Sequence, residues 1–276
     1  MYSNATISAR AVQAEAKAQR IVNTAERTIR DLPSRLADRL RQRNYPCAAA
    51  VVAAVQIDSP LILLFSATCV ALHAYGSVLG GEHWTRNKLG VWPWTHFATS
   101  DPRQYPQFLM HVLGHVSWEH LNGNLVNLLL VGPACEREYG SFNLLKIILW
   151  TAIFSAFSHM AFGPHNGVQL GASGVVFSLI LLSSLVAAQE GRIPLTFVCQ
   201  VVVWCWTEIG AALFSGGGDG ISHLAHLSGA VVGTMAGYSM HSSARESTKS
   251  IRLGSRSPVN DTVSWWRRLF RRGGMP

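Results

Sequence analysis

The sequence predicts an all-α membrane protein, a bundle of six transmembrane helices around a polar, water-accessible pocket. Composition is the first reason. Of the chain, 49% is hydrophobic and 14% charged, where a soluble domain carries about 25% charged residues. The second reason is six separate apolar stretches, each close to the length that crosses a bilayer, about 20 residues. The third is the placement of charge. Residues 1–45 hold nine Lys/Arg against four Asp/Glu, residues 241–276 hold eight against two, and everything between holds six against nine. Two basic tails thus flank a nearly neutral body.

Residues 1–56 form the first tail. Val22, Ala25, Ile29, Leu32, Leu36 and Leu40 recur at three- and four-residue spacing. That spacing draws an apolar helical face suited to a membrane surface, although a solvated tail can carry the same pattern. Pro33 kinks or restarts the helix. The run 46–56 is apolar but too short to span, so it extends or precedes the first span. Residues 57–241 form the body, with spans at 60–79, 117–135, 142–163, 170–189, 193–214 and 221–240. Six is even, so both termini share a side. The basic tails make that side the cytosol or its organelle equivalent. Residues 80–106 become an outside loop, with Trp84, Trp92 and Trp94 at the interface. Residues 242–276 form the second tail, whose run Trp265–Arg272 reads as an anchor on anionic lipid.

Beside membrane spans, basic tails serve orientation and attraction to the lipid bilayer, and nucleic acid is excluded as a partner. Cys47, Cys69, Cys135, Cys199 and Cys205 lie in or beside apolar runs without paired spacing. No disulfide framework or metal site is predicted from them. The N-terminus lacks the apolar core of a secretory signal. Its Ala, Ser and Arg content is that of a transit peptide, but Glu15, Glu26, Asp31 and Asp38 are not.

Polar groups inside a span are costly, and each asks for a reason. His111, His115, His120, Asn122, Asn124 and Asn127 gather about the start of the second span. His120 and Asn124, four apart, share a helix face. Singly, these residues read as the polar cap of a helix. Gly171-Ala172-Ser173-Gly174 opens the fourth span, and alone it reads as a small-residue packing device. Ala225-His226-Leu227-Ser228-Gly229, followed by Gly233 and Gly237, opens the sixth. The glycines make a smooth strip for a neighbouring helix. His226, one turn before Gly229, faces that neighbour, and alone it reads as a histidine satisfied within the bundle. Spans two, four and six run the same way, so all three clusters share a depth in the outer part of the membrane. A water-accessible pocket at that depth follows.

A serine hydroxyl needs a base before it is nucleophilic. His226 is that base if spans four and six pack along the glycine strip. No acid in the sixth span stands ready to orient it, so a dyad is expected rather than a triad. His120, the Asn124 amide and the Ser173 N–H are the candidate donors to an oxyanion.

The ordered set resembles the rhomboid family of intramembrane serine proteases. His120-Leu121-Asn122-Gly123-Asn124 is similar to the family's His-x-x-x-Asn. Gly171 to Gly174 is similar to its Gly-x-Ser-Gly, and Ala225-His226 through Gly229 and Gly233 to its Ala-His-x-x-Gly-x-x-x-Gly. The likeness covers residues 60–240. It implies a six-helix rhomboid-like bundle, with Ser173 as nucleophile, His226 as general base, and His120 and Asn124 as oxyanion hole. Gly171, Gly174, Phe177, Gly229 and Gly233 become active-site support. It implies no metal and no cofactor, and substrates that are transmembrane segments of other proteins, cut near the outer side. His111, His115, Glu136 and Gly140 match further family positions. Two positions depart. Pro106-Gln107 stands where the family often has Trp-Arg, which leaves Trp92 and Trp94 to anchor the first loop. Phe177 stands for a tyrosine, keeping the ring without the hydroxyl. His159 and His165 read as interface or loop residues, and Glu208 in the fifth span is assigned no catalysis. The alternative is a silent relative that holds client helices, although such members lack the serine or the histidine. A histidine-lined transporter is a further alternative, with no need of Ser173.

Overall fold

The computed structural model describes residues 4–81, 83–189, 195, 198, 199, 202, 206 and 225–236. The fifth predicted span is represented by five helical residues only, and Glu208, Cys205, Gly237 and the second tail lie outside the described residues. The chain divides into two units, Met1–Thr234 and Met235–Pro276. Of the second, residues 235 and 236 are described, and both are helical.

The first unit is helical, with no strand among the described residues. It begins with α1 (Asn4–Arg30), α2 (Leu32–Gln42) and α3 (Pro46–Ala53). Pro33 sits in the first turn of α2, where its missing N–H has no partner to lose, so the helix restarts there. α2 and α3 fold back on each other. Asn44 turns the chain at φ 62°, and Tyr45 N donates to Leu40 O at 3.0 Å. Ala37 and Ala49, both buried, let the two helices close up. α1 reaches the body through Glu15 and Lys146 (3.0 Å), and Arg30 Nη2 donates to Asp58 O (3.3 Å). The ion pair is partly exposed and worth under about 1 kcal/mol.

The body comprises α4 (Pro60–Tyr75), prolonged by a π turn (Gly76–Gly80), α7 (Trp118–Tyr139), α8 (Ser141–Phe162), α9 (Ser173–Gln189) and a helix over 225–236. Among the described residues, the segments Pro60–Gly80 and Ser141–Phe162 are long and apolar enough to cross a membrane. α7 matches α8 in length, but Glu119, its asparagines, Glu136, Arg137 and Glu138 make it too polar. It is nevertheless central. Gly132 lets Ile62 of α4 lie against its backbone, and Cys135 Sγ reaches Leu179 O of α9 at 3.5 Å. Leu121, Leu128, Leu144, Leu179 and Leu182 fill the core around it.

The apolar run behind the second predicted span ends at 135, yet α7 continues to Tyr139. The reason is Glu136, which turns inward instead of meeting water and is 3% exposed. Leu61 N donates to its Oε1 (2.9 Å), Ile62 N to its Oε2 (3.0 Å), and Ser141 Oγ to its Oε1 (2.6 Å). It thereby satisfies orphan donors of the first turn of α4, at the end of the helix dipole that favours an anion. Glu136→Ala strands those donors and should cost about 3 kcal/mol. The midpoint of unfolding in a mixed-micelle SDS titration would fall accordingly; an unchanged midpoint contradicts the capping role.

The first loop carries α5 (Trp84–Leu89), α6 (Gln107–Met110) and two 3-10 turns, Trp94–His96 and His111–Leu113. Of the tryptophans expected to anchor this loop, Trp92 is half-buried with its ring 6.0 Å from that of His96, and Trp94 is exposed and lies beside Phe97 (6.0 Å). Trp84 packs on Tyr75 (5.0 Å). The loop is also held by its backbone and by smaller apolar groups. Val91 N donates to Gln169 O (3.1 Å) and Gln169 N to Val91 O (2.9 Å). Leu89 and Val91 are buried, and Phe97, Phe108 and Phe157 follow one another at 5.5 and 5.2 Å between ring centres. Gln107, at the departing position, is buried too and donates from Nε2 to Asn87 O (3.1 Å).

Candidate active site

α7 starts at a capped turn. Ser117 Oγ accepts from His120 N at 3.1 Å, closing one of the orphan donors of the helix. His120 and Asn124 then fall one turn apart on the same face. Asn124 is buried, and its Nδ2 donates to His120 O (3.1 Å). That uses one of its two amide hydrogens.

The loop into α9 is threaded against this face. Gly171 N donates to His111 O (3.0 Å), and Ala172 N to His115 Nε2 (3.4 Å). Gly171 sits at φ +127°, a conformation that side chains disfavour. A Cβ there would also fall 2.6 Å from His120 Cε1 and 2.9 Å from His120 Nε2. Glycine is therefore required twice over, and the His120 ring lies directly on the turn before Ser173. Ser173 is the first residue of α9. The N–H groups of that first turn have no partner within the helix, and the positive end of its dipole is there.

The helix over 225–236 packs on α9 through bare backbone. A Cβ on Gly229 would meet Gly174 O at 2.1 Å, and one on Gly233 would meet Ser178 O at 2.5 Å. Both partners advance by four residues, so the two helices run in the same direction with Gly229 level with Gly174. Gly174 is itself confined by Ala225 O, 2.9 Å from where its Cβ would be. His226, three residues before Gly229, belongs to the contacting face and is carried to the N-terminal end of α9. It is 6% exposed. Its ring centre lies 6.4 Å from that of Phe177, tilted by 46° rather than stacked.

Around the site, histidines act as braces. His111 is fully buried. Its Nδ1–H donates to Gln107 O (3.1 Å), which leaves Nε2 as an acceptor with Ser155 Oγ (3.1 Å) and Gln169 Nε2 (3.4 Å) beside it. His115 is braced from behind by His73, whose Nδ1–H donates to His115 O at 3.1 Å and whose ring meets Trp118 edge-on at 4.5 Å. The rings of His115 and His120 are 5.2 Å apart. His73 escaped the sequence reading, although a lone histidine in the first apolar span was the signal that could have found it. His159 is buried and bonds Gly167 O through Nε2 (3.3 Å), and His165 is exposed in a loop. No group of three or more metal-ligating side chains occurs among the described residues.

Burial pushes the His111 imidazole down from its ordinary value of 6.5 to about 4. The neutral form is therefore the folded one, and its accepting Nε2 requires that form. Its contribution to stability is full above pH 6.5 and is lost as pH falls toward 4. In His111→Gln, the decline in unfolding free energy over that window should be shallower by about 1.4 kcal/mol per pH unit. Urea or SDS titrations at several pH values measure it, and parallel declines contradict the assignment.

A family model described as Rhomboid domain matches residues 102–243, about half of the chain and all of the residues gathered above except His73. Rhomboid-like protein 11, chloroplastic, of Arabidopsis thaliana is 33% identical over 142 residues, which is 47% of this chain and 50% of the relative. Rhomboid-related protein 1 of Caenorhabditis elegans is 30% identical over 139 residues, 48% of this chain and 39% of the relative. The chain thus matches half or less of the length of these curated relatives.

Proposed function

The chain belongs to the rhomboid family, and we propose that it is an intramembrane serine endopeptidase that cuts transmembrane segments of other proteins with a Ser173–His226 dyad. The observation that carries the reading is the backbone contact of Gly229 with Gly174. It aligns the start of the 225–236 helix with the start of α9, which supports a reading in which His226 serves Ser173.

The chemistry follows from that register. His226 takes the proton of Ser173 Oγ as the oxygen attacks the scissile carbonyl. The tetrahedral oxyanion is met by Ser173 N–H at the start of α9, by His120 and by the remaining amide hydrogen of Asn124. Each such donor is worth about 2.7–4 kcal/mol at the transition state. The C–N bond breaks as protonated His226 delivers its proton to the leaving nitrogen. Water, deprotonated by His226, then attacks the acyl-enzyme ester. The acid appears with the new carboxyl end, Ser173 recovers its proton, and no metal or cofactor takes part. Phe177 limits the His226 ring without a hydroxyl to bond it, which suits a dyad.

Six spans, with both termini on the cytosolic side or its equivalent, complete the reading. They open the dyad toward the outer half of the bilayer, where a helix that unwinds easily can present its carbonyls. Reconstitution in liposomes with a single-span substrate tests the function. Two products whose new ends map to the outer half of that span are expected. A substrate that stays intact but co-purifies with the chain would instead make it a holder of client helices.

A further inference from the structure

The hairpin of α2 and α3 leaves an open groove of about 580 Å³, walled by Leu32, Pro33, Leu36, Val52 and Val55, with Arg35 and Arg39 along α2 beside them. The walls are unusually bare: Leu32, Leu36 and Val55 are 51%, 50% and 55% exposed. Val51 next to them is 69% exposed, and α3 holds no charged residue at all. An apolar surface of this kind marks a binding face. We propose that the hairpin docks on anionic phospholipid at the membrane surface, with upper acyl chains against the groove and Arg35 and Arg39 on the phosphates.

Three observations select that occupant. The first is position. α3 ends at Ala53 and α4 begins at Pro60. The six residues between span at most about 21 Å, which tethers the hairpin close to where the first apolar helix enters the bilayer. The second is charge. Arg39 pairs with no acid among the described residues, and Arg35 reaches Asp31 only at 3.7 Å with both side chains about 60% exposed. Both guanidinium groups are therefore open to phosphate, and their aliphatic stems can lie along the groove. The third is self-exclusion. A second copy seated symmetrically on this groove would bring the same arginines face to face. Together, a charge-free helix beside a basic one is the amphipathic division that an interfacial element needs. The inference rests on the chain being a membrane protein and not on its protease chemistry.

Amide hydrogen exchange on the full chain in nanodiscs tests it. Exchange over residues 32–55 is expected to be at least about tenfold slower with about 30 mol% phosphatidylglycerol than with phosphatidylcholine alone. Arg35→Glu/Arg39→Glu, both on the surface, should remove the difference. Raising salt from about 50 to about 500 mM should remove it in the wild-type chain too, since the screening length shortens about threefold. The salt arm decides the matter should the double variant not fold. Equal exchange in the two lipids overturns the proposal, as does protection that follows protein concentration rather than lipid charge, the mark of a second copy. Ser173→Ala protein can serve throughout, so a failure here leaves the proteolytic reading untouched.

Discussion

Cleavage of a transmembrane substrate is expected to fall at least about 10⁴-fold when Ser173 or His226 is replaced by alanine, and no further when both are replaced. The two groups act as one device. Without the base the hydroxyl keeps its proton, and without the hydroxyl the base has nothing to activate. Initial rates at matched protein and lipid give the comparison. His120→Ala and Asn124→Ala should each cost less, about 10²- to 10³-fold, and chiefly in kcat, because their hydrogen bonds strengthen only as the oxyanion forms. Losses that multiply between Ser173 and His226 would mean that they work independently, and the dyad would be wrong.

The second large effect is expected at a residue with no chemistry of its own. Gly229→Ala adds one methyl group, 2.1 Å from Gly174 O. The obstructing atom is backbone on a packed helix, so the 225–236 helix must move. A displacement near 1 Å at the base is worth about 10²-fold in rate. The same substitution at Gly123 meets nothing within 4 Å and should leave the rate unchanged. Full activity in Gly229→Ala, with the chain folded by circular dichroism, would contradict the register on which the site depends.

How much of this could be read in advance depends on the kind of interaction. The predicted stretches 60–79 and 142–163 return as Pro60–Gly80 and Ser141–Phe162 because long apolar runs carry their own signal. The three polar clusters stood out for the same reason, since a polar residue in such a run has few innocent explanations. Restart at Pro33 was legible from local chemistry alone. What escaped was long-range. Nothing near Val91 or Gln169 announces that they pair across 78 residues. Nothing in Gln107 says that it will turn inward to Asn87. Tryptophans are weighted by preference for interfaces, so Trp92 and Trp94 drew the anchoring role, and the burial of the smaller Leu89 and Val91 beside them shows only once the loop is packed. Glu136 was recognised as a matching position, but its work, capping the start of α4, appears only when α4 and α7 are packed.

The most direct test of the central claim asks whether Ser173 is an activated nucleophile. An ordinary serine does not react with a fluorophosphonate; one served by a base does. The full chain in lipid or mild detergent should take up one probe, located by mass spectrometry on Ser173. Labelling should vanish in Ser173→Ala and fall steeply in His226→Ala. Labelling that persists in Ser173→Ala, or a wild-type chain that stays unlabelled while folded, would contradict the account.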